Sequence, residues 1–198
     1  MRLLVERNDV DINVKNKYGW TPLMHAASGG HEAVVRLLIE RNDVDVNVKD
    51  NDGWTPLMHV ARWGQEAVVR LLVERNDVDI DAKNNNGKTP FMYAAMDGRE
   101  AVVRLLIDRS DVDVDVKDKD GWTPLMYAAF RGQEAVVRLL IERSDVDINV
   151  KDNDGQTPRS VAESAPYVGE RQRKAVVQLL KNRLELRARG SDLVAAPF

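Results

Sequence analysis

KDNDGWTPLMHVARWGQEAVVRLLVERNDVDIDA, residues Lys49 to Ala82, decides the fold. Thr55 stands before Pro56, a good N-cap followed by the residue best suited to the first helical position. A short helix is predicted through Leu57, Met58, Val60 and Ala61, and Gly64 supplies the left-handed residue that ends it. A second helix follows through Glu66, Val68, Val69, Leu71 and Leu72, whose apolar residues recur at i, i+3 and i+4 and so bury one face. Glu66 and Arg70 lie four apart on its solvated side, in the favourable acid-first order. Then Asn76-Asp77-Val78-Asp79-Ile80-Asp81 leads to a turn at Gly87.

Working outward, the same stretch recurs. Thr-Pro stands at Thr21, Thr55, Thr89, Thr123 and Thr157, each 34 residues after the last. A fixed period of this size signals a stacked solenoid. The first helix has about two turns, far below the ~12–15 residues that an isolated helix needs, so stability must come from stacking repeat on repeat. The fold class is an all-α repeat solenoid of helix-turn-helix units. The acid–base pair of the second helix repeats as Glu32–Arg36, Glu100–Arg104 and Glu134–Arg138.

The stretch DNDGWTPLMHVARWGQEAVVRLLVERNDVDI resembles the ankyrin repeat, with its D-x-x-G-x-T-P-L-H-x-A-A-x-x-G-H, V-V-x-L-L and D-V-N elements. The resemblance covers nearly the whole chain in four good copies. It implies antiparallel helix pairs with β-hairpin loops projecting at right angles, and a concave groove that binds other proteins. The 34-residue style, rich in E-R-N-D-V-D-V-N, is similar to repeats at the C-termini of large fungal intracellular receptor proteins.

Two departures from the family pattern stand out. The family's usual length is 33, and the additional residue falls between the second helix and Asp-Val-Asn. There Asn8, Asn42, Asn76, Ser110 and Ser144 replace the family's glycine, and serine suits a left-handed residue less than asparagine does. Met24, Met58, Met92 and Met126 replace the histidine that follows T-P-L in the family.

The period sets the expected boundaries. A partial repeat spans 1–13, full repeats span 14–47, 48–81, 82–115 and 116–149, and an atypical capping repeat spans 150–189, all in one domain, 1–189. Residues 190–198 form a tail. Arg2-Leu3-Leu4-Val5-Glu6 aligns with Arg36-Leu37-Leu38-Ile39-Glu40, so the chain opens inside a second helix, as a segment cut from a longer array would. Leu3, Leu4 and Val5 have no covering repeat, and self-association through this end is expected. At the other end an insertion around Pro166 to Arg171 delays the closing helix, whose charges at Arg173, Lys174, Lys181 and Arg183 suit a terminal repeat.

Composition narrows the function. Hydrophobic residues make up 43% of the chain, enough to build a core. A formal net charge of −3 argues against a nucleic-acid partner, which calls for a basic face. There is no cysteine, which excludes a disulfide framework and thiolate zinc sites. No run approaches the ~20 apolar residues of a membrane span, and charges come too early at the N-terminus for a secretory signal. A cytoplasmic location, the nucleus included, is the reading left.

No catalytic motif appears: G-x-S-x-G, H-E-x-x-H and phosphate-binding glycine loops are all missing. His25 and His59 share one repeat position, and His31 starts a second helix. No third metal ligand accompanies the first two, so neither metal nor cofactor is expected. Asp43-Val44-Asp45-Val46-Asn47 lacks the glycine and glutamate of a calcium loop and reads as turn-forming aspartates. So do Asp50 and Asp118.

The functional signal is a set of aromatic and charged residues at variable positions. Trp20, Trp54 and Trp122 precede Thr-Pro, where Lys88 and Gln156 also stand. His25, His59, Tyr93 and Tyr127 occupy the inner helix, facing the groove in the family's geometry. The pair before the helix-ending glycine varies most: Ser28-Gly29, Arg62-Trp63, Met96-Asp97 and Phe130-Arg131. Trp, Tyr and Arg are favoured at binding hot spots, and Trp54, Trp63, Tyr93 and Phe130 are expected to form an aromatic path. The tryptophans can equally serve as struts between neighbouring hairpins. The reading is a protein-binding module that is not an enzyme. Its rivals are a spacer in a longer array and an enzyme with a groove site near His59 and Tyr93.

Overall fold

The computed structural model describes residues 10–194. The expectation placed on Leu3, Leu4 and Val5 lies outside these residues. Within them the chain forms ten helices and no β-strand. Four pairs follow the period: α1 (Pro22–Ser28) with α2 (Glu32–Ile39), α3 (Pro56–Trp63) with α4 (Glu66–Val73), α5 (Pro90–Met96) with α6 (Glu100–Ile107), and α7 (Pro124–Phe130) with α8 (Glu134–Glu142). A fifth pair, α9 (Pro158–Glu163) and α10 (Glu170–Val194), departs from it. The chain divides into two compact units, one of residues up to Ala94 with Ala101–Asp113, the other of Ala95–Glu100 with Val114 onward.

Each first helix starts as its sequence dictates. The Thr55 hydroxyl accepts the Met58 amide at 3.3 Å and Pro56 takes the first turn; Thr21 and Thr123 do the same. Gly64 ends α3 with φ +73°. The second helices turn Val68, Val69, Leu71 and Leu72, and their counterparts Val136, Val137 and Leu140, inward. Glu32–Arg36, Glu66–Arg70 and Glu134–Arg138 pair on the outside at 2.8–3.0 Å.

The expected β-hairpins are reduced to their tips. The Asp50 amide donates to the Trp54 carbonyl at 2.9 Å, and the Gly53 amide to the Asp50 carbonyl at 3.0 Å. This turn returns at Asn84, Asp118 and Asp152. Successive tips are joined chiefly by side chains one period apart. In the first unit the Lys15 and Lys49 ammonium groups reach the Lys49 and Lys83 carbonyls, and the Asn51 amide side chain reaches the Lys17 carbonyl. In the second, Lys117 reaches the Lys151 carbonyl, and Asn153 the Lys119 carbonyl.

The loop carrying the additional residue needs no left-handed residue. Among the described residues only glycines have positive φ, so Asn42, Asn76, Ser110 and Ser144 all adopt ordinary backbone. An arginine closes the loop instead. Arg75 grips Asp77 with two hydrogen bonds of 2.7 and 2.8 Å, and its remaining nitrogen caps the Ile39 carbonyl one repeat back. Arg109 binds Asp111 and the Val73 carbonyl in the same way. Arg41 and Arg143 grip Asp43 and Asp145. A guanidinium fork satisfies helix-terminal carbonyls that a Schellman glycine would otherwise satisfy.

The next residues form a ladder in which aspartate takes the place of asparagine at two rungs, Asp81 and Asp115. Asn47 donates its side-chain amide to the Asp77 carbonyl and accepts the Asp79 amide; Asn13 does likewise one period earlier. Asp81 holds this slot one period on. It accepts the Asp113 amide at 2.9 Å, but its other oxygen is buried without a hydrogen-bond partner. Burial pushes the Asp81 carboxyl above the usual aspartate range; the Asp113 amide opposes this, while the Asp113, Asp79 and Asp111 carboxylates add to it. A carboxyl whose folded pKa is raised contributes most below its unfolded pKa, and that contribution is lost as pH rises through the folded value. Asp81→Asn restores the donor and removes the charge. It should therefore stabilise the protein by about 1 kcal/mol near neutral pH, with the gain fading toward about pH 4. Denaturant titrations at both pH values check this, and an equal effect at both would refute the ionic cause.

The last pair differs from the sequence expectation at its end. The helix α10 continues through Gly190 to Val194 rather than stopping there. An internal glycine costs only about 1 kcal/mol, and α10 is anchored upstream: Arg187 donates to the Val146 and Arg143 carbonyls at 2.9 and 2.8 Å.

Candidate protein-binding surface

The turns at Asn16, Asp50, Asn84 and Asp118 are each tied by that Asp or Asn to the first helix that follows. Asp50 accepts the Asp52 and Trp54 amides on Oδ1, while its Oδ2 meets His59 Nε2 at 3.2 Å. Asn16 holds its own turn and reaches His25 Nε2 at 3.1 Å. Asn84 donates to the Tyr93 hydroxyl at 2.8 Å, and Asp118 accepts from the Tyr127 hydroxyl. The sequence reading saw in Asp50 and Asp118 only turn formers. The signal it passed over is a fixed spacing of nine between each Asp or Asn and a His or Tyr.

This tie explains where the candidate residues fall. Tyr93 and Tyr127 are only 5% and 8% exposed, and His59 is buried, so the three are chiefly braces, whereas His25 is exposed. Trp20, Trp54 and Trp122 are half-buried. In the first unit their rings interleave with the braces. Trp20 stacks at 5.0 Å from His25 and 4.4 Å from His59, and Trp54 at 5.1 Å from His59 and 4.1 Å from Tyr93. His25 and His59 therefore have the Trp20 indole between them. Among the described residues no group of three or more His, Cys, Asp or Glu is placed to hold a metal ion.

Burial holds the His59 pKa below the usual histidine range, outweighing the Asp50 carboxylate that pulls it up, while Arg62 and His25 lower it a little further. A lowered folded pKa means that the unfolded chain takes up a proton first as pH falls. Stability drawn from neutral His59 is intact above the ordinary histidine pKa of about 6.5 and is lost as pH falls from there through the lower folded value. His59→Tyr copies the Tyr127–Asp118 pair and has no proton to take up in this range. The variant's melting temperature should change less than the parent's between about pH 7.5 and pH 5.5; parallel losses in the two proteins would count against His59 as the source.

At the ends of the first helices the variable residues emerge. Trp63 is 53% exposed, and the Arg62 guanidinium lies 5.4 Å from the Trp54 ring and 5.7 Å from the Trp63 ring. Trp54, Arg62 and Trp63 thus form one aromatic–cationic patch in the first unit, with Trp63 as its exposed member. In the second unit Trp122 contacts Tyr127 at 5.0 Å and Phe130 edge-on at 5.2 Å, and Arg131 pairs with Asp97 at 3.8 Å. Met96, Trp122, Tyr127, Phe130 and Arg131 line a cleft of about 490 Å³ with Asp120, Asn153 and Asp154. Sequence reading missed these last three because they lie in the tip of the turn, away from the varying helix positions.

No helix among the described residues is long and apolar enough to cross a membrane. No curated protein matches this chain. A family model described as ankyrin repeats (3 copies) matches residues 1–84 and 76–152. Ankyrin repeats are in general protein–protein interaction modules rather than enzymes. The 34-residue period, the Thr-Pro-capped helix pairs joined by glycine turns, and a family match over most of its length establish that the chain belongs to the ankyrin-repeat family.

Proposed function

We propose that this chain is a non-enzymatic scaffold that binds a protein partner in the concave groove formed by the turn tips and the first helices of its repeats. The carrying observation is Trp63, a large aromatic left half in solvent at the end of α3 with the Arg62 guanidinium beside it. Monomeric proteins gain nothing in stability from such a side chain, whereas Trp and Arg dominate binding hot spots. In the first unit Trp54 and Arg62 extend the contact, with Trp20 and His25 at its margins; in the second unit Trp122, Phe130 and Arg131 offer a contact surface of their own, with Met96 and Asp97 at its margins. His59, Tyr93 and Tyr127 act from beneath by holding the turns. The reading extends to a cytoplasmic setting, the nucleus included, with neither nucleic acid nor a membrane as partner. Self-association through Leu3, Leu4 and Val5 belongs to the same proposal.

A spacer role is favoured by one observation, the stacking of Trp20 and Trp54 between repeats. The two readings separate in one experiment. Partners are captured on the intact protein and identified, and the capture is repeated with Trp63→Ala. Loss of specific partners from a folded variant supports the binding role. Identical capture by both proteins would favour the spacer.

A further inference from the structure

The two units treat one repeat position differently. In the first unit the Trp54 ring is covered by Arg62 and by Tyr93, which belongs to the following repeat. Two periods on, the residues in the places of Arg62 and Tyr93 are Phe130 and Val161. Phe130 meets Trp122 only edge-on, and Val161 carries no ring to stack on it. The cleft of about 490 Å³ opens here, floored by Trp122, Tyr127 and Phe130.

The same change leaves charge behind. Asp152 holds its turn through Oδ1, accepting the Asp154 and Gln156 amides. Its Oδ2 takes the place of the atoms by which Asp50, Asn84 and Asp118 grip the residue nine further on. That residue is Val161, and Oδ2 is buried without a hydrogen-bond partner in a side chain only 8% exposed. Asn153 and Asp154, which follow it directly, line the cleft, and Asp120 lies on the opposite turn. Where the first unit has Asp52 and Asn86, with Arg62 beside Trp54, the second has Asp120 and Asp154, with Phe130 in the place of Arg62. Arg131, the cation at the rim, faces Asp97.

We infer that the Trp122 cleft is a receptor for a single arginine side chain presented by the partner, whose guanidinium lies on the Trp122 ring that Val161, in the place of Tyr93, leaves without a stacked ring, and pairs with Asp120 and Asp154. An aromatic face flanked by carboxylates binds a delocalised cation by cation–π attraction and by hydrogen bonds together. The inference rests on the protein-binding reading and names the chemistry of one contact within it.

The test uses Nα-acetyl-arginine amide as probe and the Trp122 indole N–H resonance as readout, identified through Trp122→Phe. The expected result is a saturable shift at Trp122, with Trp54 unmoved, and affinity about threefold to tenfold above that of the neutral Nα-acetyl-citrulline amide. Asp120→Asn with Asp154→Asn should remove that difference while leaving the melting temperature close to the parent's. Val161→Tyr, which supplies the missing ring and a hydroxyl for Asp152, should close the cleft and abolish the response. Equal binding of arginine and citrulline probes would overturn the inference. So would equal binding of Nα-acetyl-lysine amide, or a Trp122 shift that grows with protein concentration alone and so assigns the cleft to a second copy. Loss of partner capture in Trp63→Ala with no arginine response at Trp122 would sink this inference and leave the binding function standing; the reverse pattern would sink the function and keep the site.

Discussion

Leu72→Ala is expected to lower the free energy of unfolding by about 2–5 kcal/mol. Leu72 lies on the inner face of α4 and is 1% exposed. Its repeat is too short to hold itself together, since neither α3 nor α4 reaches the length of a self-sufficient helix. The side chain therefore belongs to the packing that holds neighbouring repeats, and truncating it removes transfer free energy and leaves a cavity. In a stack with nearest-neighbour coupling the loss should appear first as local opening of the helices around α4. Urea titration followed by far-ultraviolet circular dichroism measures the total, and hydrogen exchange locates it. A loss below about 1 kcal/mol would mean that the site collapses freely, which is at odds with close packing at the core.

Trp63→Ala should show the opposite pattern. The side chain is more than half exposed, with the Arg62 guanidinium 5.7 Å from its ring, so stability should stay within about 0.5 kcal/mol of the parent, as for surface changes elsewhere. Affinity for a captured partner should fall by about 30-fold, the equivalent of about 2 kcal/mol at a hot spot. Arg70→Ala, on the outer face of α4, should leave that affinity almost unchanged, because Arg70 only pairs with Glu66 across a turn of its own helix. Isothermal titration with the identified partner, run beside thermal melts of each variant, reads both quantities. Equal weakening by Trp63→Ala and Arg70→Ala would remove the first-helix ends as the binding face.

These two residues also mark how far the sequence could be read. Helix starts at Thr-Pro, stops at glycine and the inward faces of the second helices follow from local chemistry repeated at a fixed interval, and they were legible in residues 49–82 alone. So was Trp63, because a tryptophan in a slot that elsewhere holds glycine, aspartate or arginine has no reason to be core. The buried state of His59, Tyr93 and Tyr127 was not legible. Their reach to Asp50, Asn84 and Asp118 spans nine residues across a turn, and a side-chain tie of that kind leaves no periodic trace in hydrophobicity.

By itself the sequence determined the repeat, its two helices, its turn and its family, because a 34-residue period repeats every local preference often enough to outweigh chance. The tertiary structure alone decided which aromatic rings serve as braces and which face solvent, how arginine closes the loop where glycine is missing, and where a carboxylate is left without a partner. The arginine closure and the ring stacking depend on atoms about one repeat away. Arg75 finds the Ile39 carbonyl and Trp54 finds Tyr93, because stacking sets residues about a period apart side by side, and the same residue type then meets a different neighbour in each layer; Asp152, by contrast, is left without a hydrogen-bond partner for its Oδ2 within its own repeat, where position 161 is Val.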